Sequence, residues 1–371
     1  MRYKPSKRKR GPKIGVIGAG AWGTAISMVL ADKGNPVEIW CYEKEVAQEI
    51  REQSTNSKYL MEVRLPEGIQ ASSDLGEVAS NKDFVFVAVP SLYFVDTVRE
   101  LSSARSIQSA KSLVGILTKG FVQTPSAVKL CTDAAEELLP SEYQGNLVYI
   151  SGPSQSEEVA RGKITGLISA CSNGVNSIRF RELLTSGRLI VFASLDVVGV
   201  QISAALKNVI AIAFGMLGAM KEFSGCFGDN TESLLLAAGL NEIQRCGIAL
   251  GSTHPETFTS IASVGDLDVT CRSEYGRNRR FGKEIILTRI LSRYADLDDL
   301  IQGLPSVGYI PEGVIAARCV HQLSKQHGLN LPISGGVYRI LNRETEPIQE
   351  LENILKRITR ADDLDFLASR E

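Results

Sequence analysis

The sequence predicts an α/β protein in which an N-terminal domain built on a parallel sheet is followed by a mostly α-helical C-terminal domain. From residue 13 to about Asp196, strands that are apolar throughout alternate with helical patterns, which is typical of a parallel sheet covered on both faces. From Val200 onward the strand patterns end, and long helical segments joined by glycine-containing loops follow. The length of 371 residues is sufficient for two domains of ordinary size.

The predicted elements follow one another in a regular order. KIGVI is a buried strand that enters a glycine-rich turn, and AWGTAISMVLADKG then has helical periodicity with Gly34 as its stop. The later strands are predicted within PVEIW, DFVFVAVPS, SLVGILTKG, NLVYISGPS, GLISACS and GRLIVFAS. Helices are predicted at residues 200–220, 231–251 and 311–328. We therefore place a domain boundary near Val198, which gives domains at residues 13–198 and 199–371 and a separate N-terminal segment at residues 1–12.

Composition and charge exclude several classes of protein. Hydrophobic residues make up 44% and charged residues 22% of the chain, which is typical of a soluble globular protein. The net charge of -1 provides no overall attraction to nucleic acid or to anionic lipid, so neither is expected as a partner. The first thirteen residues carry seven Lys or Arg and no acid. We predict a disordered, solvated tail there, with a polyanion-binding arm as the alternative.

Cysteine usage and the apolar runs indicate a cytoplasmic protein without a membrane span. None of the seven cysteines forms a CxxC pair, which favours reduced, buried thiols, and no metal site is predicted. The tail is not a secretory signal, because no apolar segment follows its charges. The apolar run from Asn208 to Met220 has thirteen residues, fewer than the ~18 to 20 that a membrane span needs. We expect it to be a core helix.

A glycine-rich turn follows the first strand. GAGAWG, residues 18–23, matches G-x-G-x-x-G between a predicted strand and a predicted helix, the context in which this pattern indicates a Rossmann-type dinucleotide site. Gly18 would form the tight turn, Gly20 would let the backbone approach a pyrophosphate, and Gly23 would let the helix pack closely on the sheet. The alternative is a purely structural glycine turn in another kind of α/β protein.

The end of the second strand indicates which dinucleotide is bound. Glu43 lies twenty residues past Gly23, where an acidic residue would bond a ribose 2'-hydroxyl. Tyr42 precedes it, and no arginine lies nearby to hold a 2'-phosphate. This favours NAD, with NADP possible.

One lysine lies inside an apolar helix. In VQISAALKNVIAIAFGM, residues 200–216, Lys207 shares a helix face with the small residues Ser203 and Ala211, which leave room for a ligand. A buried ammonium requires a partner or a lowered pKa, and both Asp266 and Asp268 are candidate partners. The alternative is a lysine that extends along apolar surface to reach water.

Two further groups of basic residues are candidates for anion binding. Arg277, Arg279 and Arg280 form a donor-rich cluster around Asn278, suited to a phosphate or a carboxylate. The alternative is a solvated loop that pairs with nearby glutamates. Lys119 lies in a turn after a strand, at the edge of the sheet where ligands of open α/β sheets bind, although it could equally be an ordinary loop lysine.

An ordered set of motifs resembles a known family. The set is GAGAWGTA, VPS (89–91), TKG (118–120), SGPS (151–154), KNVIAIA (207–213), GDLDVTC (265–271), GRNRRFG (276–282) and PEG (311–313). In this order they resemble NAD(P)-dependent glycerol-3-phosphate dehydrogenase of the bacterial type, over about residues 13–345. The chain departs from the family pattern at Gln155 and Ser156, where an aromatic residue and an alanine are usual.

The resemblance implies a reaction and a set of roles. Lys207 would be the general acid/base for reversible hydride transfer between NAD(P)H and dihydroxyacetone phosphate, which gives sn-glycerol 3-phosphate for glycerophospholipid synthesis. Lys119 and Asp266 would help to bind and polarise the substrate, whereas Asp268 would have no such role. The implied substrate contacts also include Gly152, Ser154, Asn208, Thr270, Gly276, Arg277 and Asn278. The implied cofactor contacts are Ala21, Trp22, Tyr42, Lys119, Ser156, Arg277, Ile310 and Glu312, beside the glycines and Glu43.

Two other functions remain open from the residues themselves. Arginines bind carboxylates as readily as phosphates, so a related two-domain hydroxyacid dehydrogenase is possible. A catalytically silent NAD(H)-binding sensor is the second alternative, although it would not need Lys207, Asp266 and Arg277 together. A homodimer is expected because twofold dimers dominate soluble oligomers.

Overall fold

The computed structural model describes residues 11–124 and 127–358. The predicted basic tail at residues 1–12 therefore lies outside the described residues, apart from its last two positions. The twelve strands are β1 Ile14–Ile17, β2 Val37–Trp40, β3 Thr55–Asn56, β4 Leu60–Arg64, β5 Ile69–Ser72, β6 Phe84–Val87, β7 Leu113–Ile116, β8 Val122–Gln123, β9 Val128–Lys129, β10 Val148–Ser151, β11 Thr165–Ala170 and β12 Leu189–Ser194.

Helices follow most of the strands in the first half and make up nearly all of the second. They are α1 Ala21–Asp32, α2 Lys44–Gln53, α3 Leu75–Ala79, α4 Phe94–Leu101, α5 Arg105–Gln108, α6 Cys131–Glu136, α7 Ser156–Ala160, α8 Gly174–Leu184, α9 Val197–Met220, α10 Asp229–Ala249, α11 Asp266–Arg272, α12 Arg277–Leu287, α13 Leu297–Gly303, α14 Glu312–His327, α15 Pro332–Leu341 and α16 Pro347–Ile358. The predicted fold class, a parallel-sheet domain followed by a mostly helical one, is confirmed.

The main sheet has eight strands in the order β12-β11-β10-β7-β6-β1-β2-β5. The six neighbouring strands β5, β2, β1, β6, β7 and β10 all run parallel. At the centre of the sheet, β1 pairs with both β2 and β6, and Ile14 lies opposite Val37 and Phe84. All four residues of β1 are buried, because helices cover both faces of the sheet. The carboxyl ends of β1, β7 and β10 carry the glycine turn, Lys119 and Gly152.

Two features of the sheet differ from the prediction. β10 and β11 are antiparallel, so the sheet is mixed. The segment 152–164 between them contains only the five-residue helix α7, which does not return the chain to the start of β10 as a parallel crossover would. The edge strand β5 and the two hairpins β3–β4 and β8–β9 were not predicted, because their two- to five-residue runs carry little periodicity.

The helical part is organised around α9. This helix packs against α10, α11, α12 and α14, and its residues from Gly199 to Leu217 are all buried. Among the described residues α9 alone has the length and apolar composition of a membrane span, but 89% of its most apolar window is buried inside the protein. This burial is typical of the core helix that the sequence predicts. The change from strand to helix, between Ser194 and Val197, coincides with the proposed domain boundary, which remains a prediction.

Close packing of α9 on α12 depends on Gly215. A Cβ atom added there would lie 2.0 Å from the carbonyl oxygen of Arg279, a backbone atom that cannot rotate away. We expect Gly215→Ala to reduce the free energy of unfolding by about 3 kcal/mol, the upper end of the usual overpacking effect. Gly218→Ala, on the same helix, is the control, because its Cβ would approach only the end of the Lys283 side chain, at 3.9 Å. Urea unfolding measures both variants, and equal effects would contradict this account.

Candidate active site

The glycine turn has the shape of an anion site. Gly18 has a φ of +118°, which L side chains rarely adopt, and a Cβ on Gly23 would lie 1.9 Å from the Gly18 carbonyl oxygen. At Gly20 a Cβ would meet nothing within 4 Å, so the space above the turn is open. Helix α1 begins directly after Gly20, and no side chain among the described residues caps it. Its free N–H groups therefore point toward a position that suits a pyrophosphate.

Other positions around this turn also suit a dinucleotide. The indole Nε1 of Trp22 is buried and has no hydrogen-bond partner in the described part of the chain. Ser156 is the first residue of α7, and α7 packs against α1. In the helical part, Ile310 lies just before α14 and Glu312 is its first residue. The carboxylate of Glu312 accepts hydrogen bonds from Ser91 N at 3.1 Å and from Ser91 Oγ at 2.5 Å. The residues at these positions fit a bound nicotinamide dinucleotide.

The region after β2 contains an additional cluster of side chains. Tyr42 is 81% exposed. The carboxylate of Glu43 accepts hydrogen bonds from Lys58 at 2.9 Å and Tyr59 at 2.6 Å, both from the β3–β4 region. Burial acts to raise the pKa of Glu43, but these two bonds, a backbone hydrogen bond and the charge of Lys58 together outweigh it and hold the pKa below its ordinary value. Glu43 therefore stays ionised with part of its acceptor capacity already used, and its bond to a ribose hydroxyl stays a prediction.

Lys207 is buried and paired with Asp266. Its Nζ donates one hydrogen bond to Asp266 Oδ1 and another to Thr270 Oγ1, the latter 2.9 Å long. Thr270 in turn donates to the carbonyl oxygen of Asp266 at 2.6 Å, which orients its hydroxyl as an acceptor toward the lysine. An ammonium has three N–H donors, and within the described residues the third has no partner. Lys207 can therefore donate one hydrogen bond to a substrate oxygen.

Asp266, and not Asp268, is the partner of Lys207. Asp268 lies on the other side of α11 and accepts a hydrogen bond from Arg272 at 2.8 Å, with half of its side chain exposed. A π-helical turn, Ile261–Gly265, comes directly before Asp266. Such turns are rare and frequently occur at functional sites. This choice between the two aspartates could not be made from residue chemistry alone.

Lys119 binds the other side of Asp266. Its Nζ donates to Asp266 Oδ2 at 3.1 Å, to the carbonyl oxygen of Gly152 at 2.8 Å and to Ser154 Oγ at 3.1 Å. Ser151, which the sequence did not single out, also donates to Asp266 Oδ2, at 3.2 Å. Asp266 is thus held between two lysines that come from different halves of the chain.

This arrangement sets the proton affinities. Burial lowers the pKa of Lys207 to about 7, with a further lowering by Lys119 and an opposing effect of Asp266. Burial acts to raise the pKa of Asp266, but Lys119 and Lys207 outweigh it, so this pKa lies below its ordinary value. The carboxylate is therefore ionised at neutral pH, and the lysine is close to its midpoint, where it can both give and take a proton.

A chain of amides connects Lys119 to the helical part. Asn208 donates to the carbonyl oxygen of Lys119 at 3.1 Å and accepts from Asn278 at 2.9 Å. The side-chain oxygen of Asn278 accepts from Gly313 N at 2.9 Å, at the start of α14. The two predicted substrate contacts Asn208 and Asn278 therefore also connect α9, α12 and α14.

Only one arginine of the predicted cluster is available for a ligand. Arg280 pairs with Glu284 at 2.8 Å, and Arg279 donates to the carbonyl oxygen of Arg272 at 2.9 Å. Arg277 is exposed and makes no hydrogen bond or ion pair with any residue that the structure describes. It is the first residue of α12, directly after Gly276. Within the predicted cluster, Arg277 is thus the arginine without a partner among the described residues, whereas Arg279 and Arg280 bond other residues of the protein.

These features define a class of protein. A glycine turn that opens onto a helix N-terminus and a buried lysine paired with a carboxylate at the carboxyl edge of the sheet are together typical of nicotinamide-dependent dehydrogenases. Residues 13–176 match the family model of the NAD-dependent glycerol-3-phosphate dehydrogenase N-terminus, and residues 196–352 match that of its C-terminus. The chain belongs to the NAD-dependent glycerol-3-phosphate dehydrogenase family.

Individual relatives agree with this assignment. The chain is 49% identical over 354 residues to the glycerol-3-phosphate dehydrogenase (NAD(P)+) of Treponema denticola. The aligned region covers 94% of this chain and 99% of that protein. It is 33% identical over 349 residues to the enzyme of the same name from Lysinibacillus sphaericus, covering 94% of this chain and 97% of that one. The crystal structure of glycerol-3-phosphate dehydrogenase from Coxiella burnetii is similar with a TM-score of 0.80 and 30% identity, over 93% of this chain and 99% of that chain.

Proposed function

We propose that this protein is an NAD(P)-dependent sn-glycerol-3-phosphate dehydrogenase that interconverts dihydroxyacetone phosphate and sn-glycerol 3-phosphate, with Lys207 as its general acid/base. The pairing of buried Lys207 with Asp266, which Lys119 also binds, in a chain of this family, is the observation that carries the proposal. A nicotinamide dinucleotide held at the glycine turn would supply or accept the hydride. The remaining chemistry is assigned to side chains of this protein.

The residues around Lys207 suit proton transfer to one oxygen atom. In the reductive direction the free N–H of Lys207 donates its proton to the substrate carbonyl oxygen, and in the oxidative direction neutral Lys207 removes the proton of the alcohol. Asp266 holds the lysine in place, and the positive charge of Lys119 stabilises the negative charge that develops on the oxygen. Gly152, Ser154, Asn208 and Thr270 are proposed as further substrate contacts, and each of them makes a hydrogen bond with Lys119 or Lys207.

The phosphate of the substrate is assigned to the start of α12. Arg277 is exposed and unpaired among the described residues, and it can bind a phosphate bidentately. Gly276 and Asn278 flank it, and the N-terminus of α12 adds a favourable dipole. Burial raises the pKa of the Glu312 carboxyl, while the hydrogen bonds from Ser91 and the charge of this arginine act to lower it. We therefore propose that Arg277 also acts electrostatically on Glu312, at the proposed cofactor site.

Further proposals concern the cofactor, the pathway, the location and the oligomeric state. We infer that NAD is the preferred cofactor, with NADP possible, because exposed Tyr42 stands where a 2'-phosphate would need an arginine. A supply of glycerol 3-phosphate for glycerophospholipid synthesis and a cytoplasmic location are proposed from family membership. A homodimer is proposed from the prevalence of twofold symmetry, and light scattering of the purified protein measures it directly.

Substrate and cofactor assays test the assignment. We expect the protein to oxidise NADH faster than NADPH with dihydroxyacetone phosphate and to oxidise neither with 2-oxo acids, because the proposed site holds a phosphate. Fluorescence titration of NADH provides the control for cofactor binding. Binding of NADH without turnover of dihydroxyacetone phosphate would instead support the silent sensor, and turnover of 2-oxo acids would support the hydroxyacid dehydrogenase.

A further inference from the structure

The position of Lys119 depends on the backbone of the turn at residues 118–120, between β7 and β8. All three contacts of its Nζ, to Gly152, Ser154 and Asp266, are made by one long side chain extending from this turn. A shift of the turn would therefore be transmitted to Asp266 and, through it, to Lys207.

Each carbonyl oxygen of this turn accepts a hydrogen bond from a side chain. Tyr149 Oη donates to Thr118 O at 2.8 Å, Asn208 Nδ2 donates to Lys119 O at 3.1 Å, and Cys131 Sγ donates to Gly120 O at 3.3 Å. A loop whose carbonyl groups are bonded by side chains keeps its conformation only as long as those side chains stay in place. The turn is thus held by one residue each from β10, α9 and α6.

Tyr149 and Cys131 serve no other purpose in the proposed mechanism. Both are fully buried, with 0% of their surface exposed. A tyrosine in the centre of an apolar strand could be replaced by phenylalanine without loss of packing, so its hydroxyl needs another explanation. Burial raises the pKa of Tyr149 well above its ordinary value, which keeps the hydroxyl protonated and able to donate.

We propose that Tyr149, assisted by Cys131, is a positioning residue that fixes the Lys119 turn for catalysis. This inference rests on the proposed function, since Lys119 matters only if the site around Lys207 and Asp266 performs the reaction. Tyr149 acts through Lys119 and touches neither substrate nor cofactor.

Tyr149→Phe and Tyr143→Phe form a matched pair. Tyr143 is also buried, and its hydroxyl also donates to a backbone carbonyl, that of Ser112, at 2.9 Å. Ser112 precedes β7, whereas Thr118 follows it on the side of the active site. Both substitutions remove one buried hydroxyl and its hydrogen bond to a backbone carbonyl, so their structural effects on stability are similar, although Thr118 O keeps a longer contact from Cys131 Sγ at 3.8 Å.

We expect Tyr149→Phe to lower kcat/KM for dihydroxyacetone phosphate by about 10- to 100-fold, since misplacement by ~1 Å has effects of this size. Tyr143→Phe should lose stability to a similar extent and keep its activity. The pH profile provides a readout that a purely structural role would not change. Lys119 lowers the pKa of Lys207, so a displaced Lys119 moves the high-pH decline of the reductive kcat/KM to higher pH. Cys131→Ala should change both quantities in the same direction.

Several outcomes would overturn the inference. These are wild-type kinetics of Tyr149→Phe, equal losses in the two tyrosine variants, or an activity loss with an unmoved pH profile. The wild type is assayed first, because absence of its turnover contradicts the proposed function, whereas an active wild type matched by Tyr149→Phe contradicts this inference alone. A crystal structure of Tyr149→Phe tests the inference independently of turnover. Displacement of Lys119 from Asp266 supports it, and unchanged contacts contradict it.

Discussion

Replacement of Lys207 by methionine is expected to lower kcat for the reduction of dihydroxyacetone phosphate by about 10²- to 10⁴-fold, the usual contribution of a general acid. Methionine fills much of the buried space of the lysine side chain but has no proton to donate. Asp266 would still accept a hydrogen bond from Lys119 at 3.1 Å, so the carboxylate does not become an unpaired buried charge. The measurement is steady-state kinetics with NADH, together with fluorescence titration of NADH binding, which should be unaffected.

Lys82→Met is the matched control for Lys207→Met. Lys82 is also a buried lysine, with 5% of its side chain exposed, and it pairs with Glu38 at 2.9 Å at the other end of the sheet. The control should lose stability, because the carbonyl oxygens of Ser80 and Glu77 lose their hydrogen bonds from Lys82, but it should keep kcat. If Lys207→Met retained nearly all of its activity, or if Lys82→Met lost as much, Lys207 would not be the acid/base.

The pH dependence of the wild type follows from the same residue. Burial lowers the pKa of Lys207 to about 7, so the lysine is protonated below this pH and neutral above it. Reduction of the ketone needs the protonated form, and its kcat/KM should therefore fall as the pH rises through about 7. Oxidation of the alcohol needs the neutral form and should increase over the same interval. Profiles of the same sign in both directions would contradict this assignment.

Much of the fold could be predicted from the sequence because its signals are local. Each strand of the first half with a continuous apolar run was identified, and so was α9, since burial on all sides leaves a run that is apolar throughout. The antiparallel pairing of β11 was not predictable in this way. A continuous apolar run predicts a buried strand but not its direction in the sheet. The direction of β11 depends on the path of the chain between β10 and β11.

The candidate site also has residues that the sequence could predict and residues that it could not. Lys207 stands out because one charge interrupts an apolar helix, whereas Asp266 and Asp268 differ only in which side of α11 they occupy. Tyr149 and Cys131 gave no signal at all, because both are ordinary members of buried segments. Their hydrogen bonds to the turn that carries Lys119 depend on which carbonyl oxygens lie near them in the folded chain, and only the three-dimensional structure shows this.

The arginines of the second half were resolved only by their partners. Three of them within four positions predict an anion site, but the structure assigns Arg280 to Glu284 and Arg279 to backbone carbonyl groups. Arg277 is left without a partner in the described ranges and is the residue from which we expect the second large effect.

Replacement of Arg277 by glutamine is expected to weaken the use of dihydroxyacetone phosphate far more than the use of dihydroxyacetone. Loss of a bidentate pair of charge-assisted hydrogen bonds, at about 1.5 to 2 kcal/mol each, corresponds to an increase in KM of about 10²- to 10³-fold. The unphosphorylated ketone makes no such bonds, so its kcat/KM should change little. Steady-state kinetics with both ketones at saturating NADH measures the difference.

The comparison of the two ketones separates substrate binding from cofactor binding. Arg277 also lies near Glu312, on the proposed cofactor side, and a role there alone would reduce turnover of both ketones equally. Arg280→Gln is the control on the same helix, because Arg280 is exposed but already paired with Glu284. It should leave the KM for dihydroxyacetone phosphate unchanged. Equal losses for both ketones in Arg277→Gln, or a matching loss in Arg280→Gln, would show that Arg277 does not bind the phosphate, and the free guanidinium at the start of α12 would then need another ligand.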